Sequence, residues 1–384
     1  MANTTRKLLG ALAAVVVVLA AVVAATYIGA RRAAPPAVLE EMRQRHGAPA
    51  SRYVDVAGVS VHYRDEGSGP VLLLLHGSFG SLHMFDEMVP MLTDRFRVIR
   101  FDQAPGGLSG PVPPGFTMTP EEFTHEFLTQ IGVQRVALLG TSSGGIYAYR
   151  YAAAYPQDTY ALVLSNVPPS APVDNAGAQA RQSWLTQLSS KTCAKFAKPW
   201  SKTCWHDFLE SLFVRRERVT DELVTRYYDL NRRPEASQFT TMTAIMREDA
   251  KVLDFLGRVT APTLLVWGTD SKVLPPPTGR LMFERLTGTK PELEILERVA
   301  HYPPLEAPRE VADLVRPFLE GVLAATSGRV KSSGISAIRS DFASSEAISG
   351  CGRRFRVHSW VRVARQGRPS VDPICESQFS PHLP

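Results

Sequence analysis

Short apolar runs alternate with longer amphipathic stretches through most of this chain. The runs Val71–Leu75, Phe96–Phe101, Val136–Leu139, Ala161–Leu164, Thr263–Trp267 and Leu293–Leu296 are rich in Val, Leu and Ile. Between them lie segments of helical length at Ser81–Thr93, Pro120–Gly132, Ser143–Tyr155, Thr278–Thr287 and Pro308–Val322. Short continuous apolar runs predict strands covered on both faces, and their alternation with helices predicts a mostly parallel sheet in a doubly wound α/β fold. Near Tyr53 the pattern Tyr53-Val-Asp-Val-Ala-Gly-Val-Ser-Val-His-Tyr63 alternates around a glycine and predicts an entry hairpin.

Three intervals break this rhythm. From Leu8 to Ala30 the chain is uncharged and rich in Ala, Val and Leu, between Arg6-Lys7 and Arg31-Arg32. A spanning helix needs about 20 apolar residues, whereas a signal-peptide core has about 7–15, so residues 1–32 read as a membrane anchor. Cleavage beside Ala24 and Ala25 is the other reading. A short N-terminal arm favours a single-pass anchor with the domain outside the cytoplasm, although basic residues flank both ends. Residues 33–50 read as a linker or short helix. From about 168 to 256 no strand-like run occurs, and Trp184, Trp205, Phe208, Leu212, Phe213, Tyr227, Tyr228, Met242 and Met246 predict a helical cap, its aromatics mostly core. Residues 326–384 are Ser-, Gly- and Arg-rich without periodicity and are expected to be disordered, leaving a domain at 51–325.

Composition changes the picture little. The apolar fraction of 44% and charged fraction of 21% are ordinary for a globular chain. Of the formal charge of +6, +5 sits in the tail, where nine basic residues face four acidic ones, so it implies no nucleic-acid partner. Cys193 and Cys204 could close a short loop in an oxidising compartment; free thiols are the alternative for these and for Cys351 and Cys375. The cysteine spacing predicts no metal site.

The chemistry-bearing residues lie at strand ends. Gly140-Thr141-Ser142-Ser143-Gly144 follows one strand and opens a helix. A nucleophilic serine at such a turn needs small neighbours two positions away on each side, which selects Ser142 over Ser143. Leu75-His76-Gly77-Ser78 ends an earlier strand; the amides of Ser78 and Ser143 are the expected oxyanion donors. His301, in the loop after the last strand, is the expected base, because a serine hydroxyl needs one near neutral pH. Asp270, past Trp267-Gly268-Thr269, is the expected acid, giving the order Ser–Asp–His.

With these motifs, and Phe101-Asp102 through Gly107-Leu108-Ser109, the chain from about Val54 to Val322 resembles the α/β-hydrolase fold superfamily, in its capped esterase, dehalogenase and epoxide-hydrolase branch. The resemblance implies an eight-stranded sheet, a helical cap and no cofactor. Three departures stand out. Ser142 occupies the place where dehalogenases and epoxide hydrolases carry aspartate, which argues against both activities. Pro105 stands where glycine is usual. Ser271 holds the family acid's place, with Asp270 one residue early; either the loop shifts by one or the acid comes from elsewhere, and Asn166 after the preceding strand is no carboxylate. The expected function is a serine hydrolase of carboxylic or similar acyl esters, on a small, lipophilic substrate. Carbon–carbon bond hydrolysis and a non-catalytic binding protein on the same fold are the alternatives.

Overall fold

The structure, a computed structural model, describes residues 2–30, 32, 36–169, 188–189, 191–193, 195, 199–234, 252–336 and 362–363. Trp184, Met242, Met246 and most of the tail fall outside these residues.

Strands β1 (Arg52–Val56) and β2 (Val59–Glu66) form the expected hairpin, turning at Ala57-Gly58 where both residues have positive φ. Next come β3 (Val71–Leu75), β4 (Arg97–Phe101), β5 (Val136–Thr141), β6 (Thr159–Ser165), β7 (Thr263–Gly268) and β8 (Glu292–Leu296). The sheet order is β1-β2-β4-β3-β5-β6-β7-β8, with β9 (Arg362–Val363) at the edge. From β4 through β9 every pairing is parallel, and only the hairpin departs from this.

β3 lies at the centre because its four leucines, 72 to 75, have no exposed surface. Side chains alternate across a strand, so Leu73 and Leu75 enter one core and Leu72 and Leu74 the other. Each such burial stabilises the fold by about 1.5–3 kcal/mol. One face packs on α3 (Pro120–Gln130) and α4 (Ser143–Ala154), through Phe123, Phe127, Ile146 and Tyr149. Thr119 caps α3 in a reciprocal box with Glu122. The opposite face meets Val311, Val315 and Leu319 of the long C-terminal helix, together with helices inserted after β6.

Three segments differ from the sequence reading, and a fourth settles between its two alternatives. Ser81–Thr93 forms two short 3₁₀ turns, Leu82–Phe85 and Val89–Met91, instead of one helix. The Leu82 amide donates to Asp102 Oδ1, and the Leu82 carbonyl, which a continuing helix would use, accepts instead from Arg100. The interval 33–50 contains α2 (Leu39–His46), which buries Met42 against Leu108 and Leu230. His46 and Arg45 reach Asp229 at 2.9 and 3.0 Å, so this stretch is docked rather than loose.

The inserted interval is mainly helical where described: α5 (Lys202–Leu212), α6 (Asp221–Asn231) and α7 (Val252–Arg258), with a Cys193–Cys204 disulfide fastening α5 to the helical residues 191–193 before it. α8 (Pro276–Arg285) follows β7, and α9 (Pro303–Glu306) leads into α10 (Pro308–Ser336). α10 therefore runs past the expected boundary at 325, because Ala324 and Ala325 are strong helix formers and no proline follows before Ser336. From the tail, Arg362 and Val363 pair with Glu294 and Ile295 on the edge of β8, so these residues are part of the sheet and not outside the domain.

At the N-terminus, α1 (Ala2–Ala30) contains Leu9–Ala30, with a mean hydropathy of 2.7 and none of that stretch buried. It is long and apolar enough to cross a membrane, and the domain does not cover it as it would a core helix.

Candidate active site

The parallel strands carry their chemistry at their C-terminal ends, where an open α/β sheet places its ligand crevice. β5 ends in a sharp turn into α4. There Ser142 has φ 51° and ψ −125°, a conformation in which L side chains are strained. The turn is tight enough that a Cβ on Gly140 would lie 2.5 Å from the Gly144 carbonyl, while one on Gly144 would strike the carbonyls of Leu75 and His76. The Ser142 amide donates to the Ser165 carbonyl of β6 at 3.0 Å.

His301 comes from the loop after β8, and its Nε2 lies 3.0 Å from Ser142 Oγ. Two contacts fix that loop. The His301 amide donates to the Leu212 carbonyl at the end of α5, at 3.0 Å. The buried Glu306 carboxylate accepts from the amides of Ala300, Val214 and Arg215 at 2.6, 2.7 and 2.8 Å, tying the histidine loop to the inserted helices. Burial pushes the His301 imidazole down to about 3.

The loop after β3 faces the same point. A Cβ on Gly77 would lie 2.6 Å from the Tyr302 ring and 3.1 Å from Ser142 Cβ, so only glycine lets this backbone approach the nucleophile. Tyr302 Oη donates to the Ser78 carbonyl at 3.1 Å, and Ser78 Oγ donates to Ser143 Oγ at 3.0 Å. Thus the two residues expected to offer oxyanion amides stand side by side. Among the described residues, neither amide is taken by another backbone carbonyl.

Beneath this loop His76 is buried with one tautomer. Its Nε2 accepts from the Gln103 amide at 3.0 Å, so Nδ1 carries the proton and donates to the Gly77 carbonyl at 2.8 Å. Burial lowers its pKa. Asp102 accepts from the amides of Leu82 and Leu108 and from His62. Burial by itself would raise its carboxyl, but the adjacent His62 holds it well below the usual carboxylate range. The Ala104-Pro105 peptide is cis, and the Pro105 carbonyl accepts from Arg233.

The structure brings Ser142, His301, Ser78 and Ser143 together but not Asp270. After β7 the chain turns at Thr269-Asp270, whose amides donate to the carbonyls of Leu296 and Val299, both at 3.0 Å. This turn leaves residue 270 at the surface and buries residue 271. Asp270 is exposed and accepts from Thr269 Oγ1 at 2.7 Å. Ser271 is 2% exposed, and its Oγ lies 3.4 Å from His301 Nδ1. The expected acid is therefore corrected: the inward position holds a hydroxyl. Asn166 is structural, its Oδ1 accepting from the Gly268 amide at 2.9 Å. Sequence reasoning also missed Glu306, whose only signal was one acidic residue in the apolar stretch Pro303-Pro304-Leu305-Glu306-Ala307.

Phe79, beside Ser78, is flanked by Trp200, Trp205 and Phe208 with ring centroids 5.7–6.4 Å away, forming an aromatic wall from the inserted segment.

Comparison with known proteins agrees with this architecture. Residues 70–308 match the family model for the alpha/beta hydrolase fold. Pimeloyl-[acyl-carrier protein] methyl ester esterase of Neisseria meningitidis serogroup A is 30% identical over 67% of this chain and 78% of its own length. Haloalkane dehalogenase 2 of Mycobacterium tuberculosis is 24% identical over 68% of this chain and 92% of its own. Among solved structures, a bacterial membrane phospholipase A superimposes with TM-score 0.60 at 24% identity, covering 83% of this chain and 99% of that one. A meta-cleavage product hydrolase of Pseudomonas fluorescens has TM-score 0.58 at 19% identity, over 70% and 97%.

Proposed function

The chain belongs to the alpha/beta hydrolase fold family and is a hydrolase enzyme, and on that footing we propose that it cleaves carboxylic esters with Ser142 as nucleophile and His301 as base. The observation that carries this reading is the 3.0 Å contact between His301 Nε2 and Ser142 Oγ, made at a strained turn. In the forward step Ser142 Oγ attacks the ester carbonyl and its proton passes to His301 Nε2. The amides of Ser78 and Ser143 receive the oxyanion, a contact whose loss costs about 2.7–4 kcal/mol in comparable sites. The intermediate collapses, and His301 returns the proton to the departing alkoxide. Water then repeats the sequence on the acyl-Ser142 ester and releases the acid.

The aromatic wall at Phe79 and Trp205 supports a lipophilic acyl or alcohol group. The esterase relative supports an ester over other acyl bonds. Serine in place of aspartate at the nucleophile argues against the dehalogenase chemistry of the more distant relative. We place the enzyme on a membrane through Leu9–Ala30, with the domain on the oxidising side. The exposed apolar helix and the Cys193–Cys204 bond support that placement.

The test is hydrolysis of p-nitrophenyl esters of increasing chain length by the full chain in detergent, beside Ser142→Ala. Turnover should fall by about 10³-fold or more in the variant, as removal of a serine nucleophile does elsewhere. Equal turnover by both proteins would refute the assignment.

A further inference from the structure

A serine hydrolase relay ordinarily ends on a carboxylate, for a physical reason. A carboxylate only accepts hydrogen bonds, so it holds the proton on Nδ1 of the imidazole and leaves the Nε2 lone pair facing the nucleophile. Its charge also stabilises the imidazolium formed as the serine attacks. At His301 that end is occupied by Ser271 Oγ, buried and 3.4 Å from Nδ1. The same oxygen accepts from the Leu274 amide at 3.1 Å, which orients the hydroxyl on the imidazole side.

The charged and titratable groups of the elements packed around His301 do not replace a carboxylate. Asp270 points outward to Thr269, and Glu306 is committed to three backbone amides. Tyr302 donates to Ser78, and Tyr227 stands behind it with its phenol kept protonated by burial. Asn166, under the β7 end, is neutral.

We propose that Ser271 is the positioning residue of the relay, accepting the His301 Nδ1 proton through a neutral hydroxyl, so that the site works as Ser142–His301–Ser271. This rests on the hydrolase reading above. Two consequences follow. A hydroxyl both donates and accepts, so it holds either imidazole tautomer, and only the one with Nδ1–H leaves Nε2 free to take the Ser142 proton. Turnover is therefore held back by a tautomer balance and by an imidazolium without a counter-charge. Second, among the described residues no carboxylate raises the affinity of His301 for protons. The imidazole stays a free base far below the usual histidine range, and the acid limb of kcat/KM is displaced downward.

The balance of the step is unchanged: Ser142 loses a proton to Nε2, the Nδ1 proton stays on the ring, and Ser271 moves none. At 3.4 Å, the long edge of hydrogen-bond range, the gap also leaves room for the longer aspartate side chain.

The experiment compares full-length wild type with Ser271→Asp, Ser271→Ala and Ser271→Thr, reading kcat and kcat/KM against pH on one p-nitrophenyl ester. Fluorophosphonate labelling of Ser142 and melting temperature are recorded for each. Ser271→Asp should raise kcat by at least about tenfold, a small part of the about 10⁴-fold that a lost triad carboxylate costs elsewhere, and move the acid limb up by about one pH unit or more. Ser271→Ala should lower kcat, and Ser271→Thr should restore it. If Ser271→Ala matches wild type in kcat and pH profile while Ser142 still labels, the relay role is overturned and the hydrolase reading stands. This arm decides even if the aspartate variant fails to fold. A folded Ser271→Asp protein whose acid limb does not move has the same meaning. Absence of labelling and turnover in wild type and every variant overturns both readings.

Discussion

Ser142 and Asp270 show how differently two residues of one expected site can be read in advance. The strained turn at the serine was legible because its requirement is local: it demands glycine at fixed offsets, and those glycines are visible in the sequence. The acid was not, because a one-residue difference in loop register decides which side chain turns inward. That register is set by hydrogen bonds from the amides of Thr269 and Asp270 to carbonyls of Leu296 and Val299, far along the chain. Asp270 is exposed, with its carboxylate on Thr269. Asp270→Asn should therefore keep kcat/KM within about twofold of wild type, as surface substitutions away from special features are nearly neutral. A loss approaching 10⁴-fold in a pH-rate assay would instead make Asp270 the acid.

Strands were the most readable elements, since an uninterrupted apolar run such as Leu72–Leu75 has no stable place except between two layers. Helix ends and the 3₁₀ turns were harder, because the competition is tertiary: Arg100 takes the Leu82 carbonyl that a longer helix would have used. α2 was open between two readings for the same reason. Its polar residues read as linker or short helix, and it is a tertiary partner, Asp229 on α6, that collects Arg45 and His46. The apolar α1 and the Cys193–Cys204 bond lead to one prediction about topology. In intact cells treated with a thiol-blocking reagent and then lysed in denaturant, Cys193 and Cys204 should become alkylatable only after reduction. Direct alkylation of both cysteines would put the domain in a reducing compartment and remove the main support for the extracytoplasmic orientation.

At the scale of the molecule, three imidazoles among the described residues are buried neutral and bind protons more weakly than in the unfolded chain. Burial lowers His76, brings His83 to about 4 and brings His301 to about 3. Below about pH 6.5 the unfolded chain takes up protons that the folded one refuses, so the stability these groups give is present above that pH and is lost as pH falls. Denaturant unfolding at pH 7 and pH 4.5 should differ by on the order of 2 kcal/mol or more, with Asp102 adding a further loss at still lower pH. Identical stability at the two pH values would mean that these imidazoles are solvated. The proposed chemistry is narrower: Ser142, on one strained turn, would be activated by His301. Intact-mass analysis and peptide mapping after fluorophosphonate treatment test it most directly. A single adduct on Ser142, abolished in His301→Ala, is the predicted result; an unmodified Ser142 in folded wild-type protein, or an adduct on another residue, would contradict it.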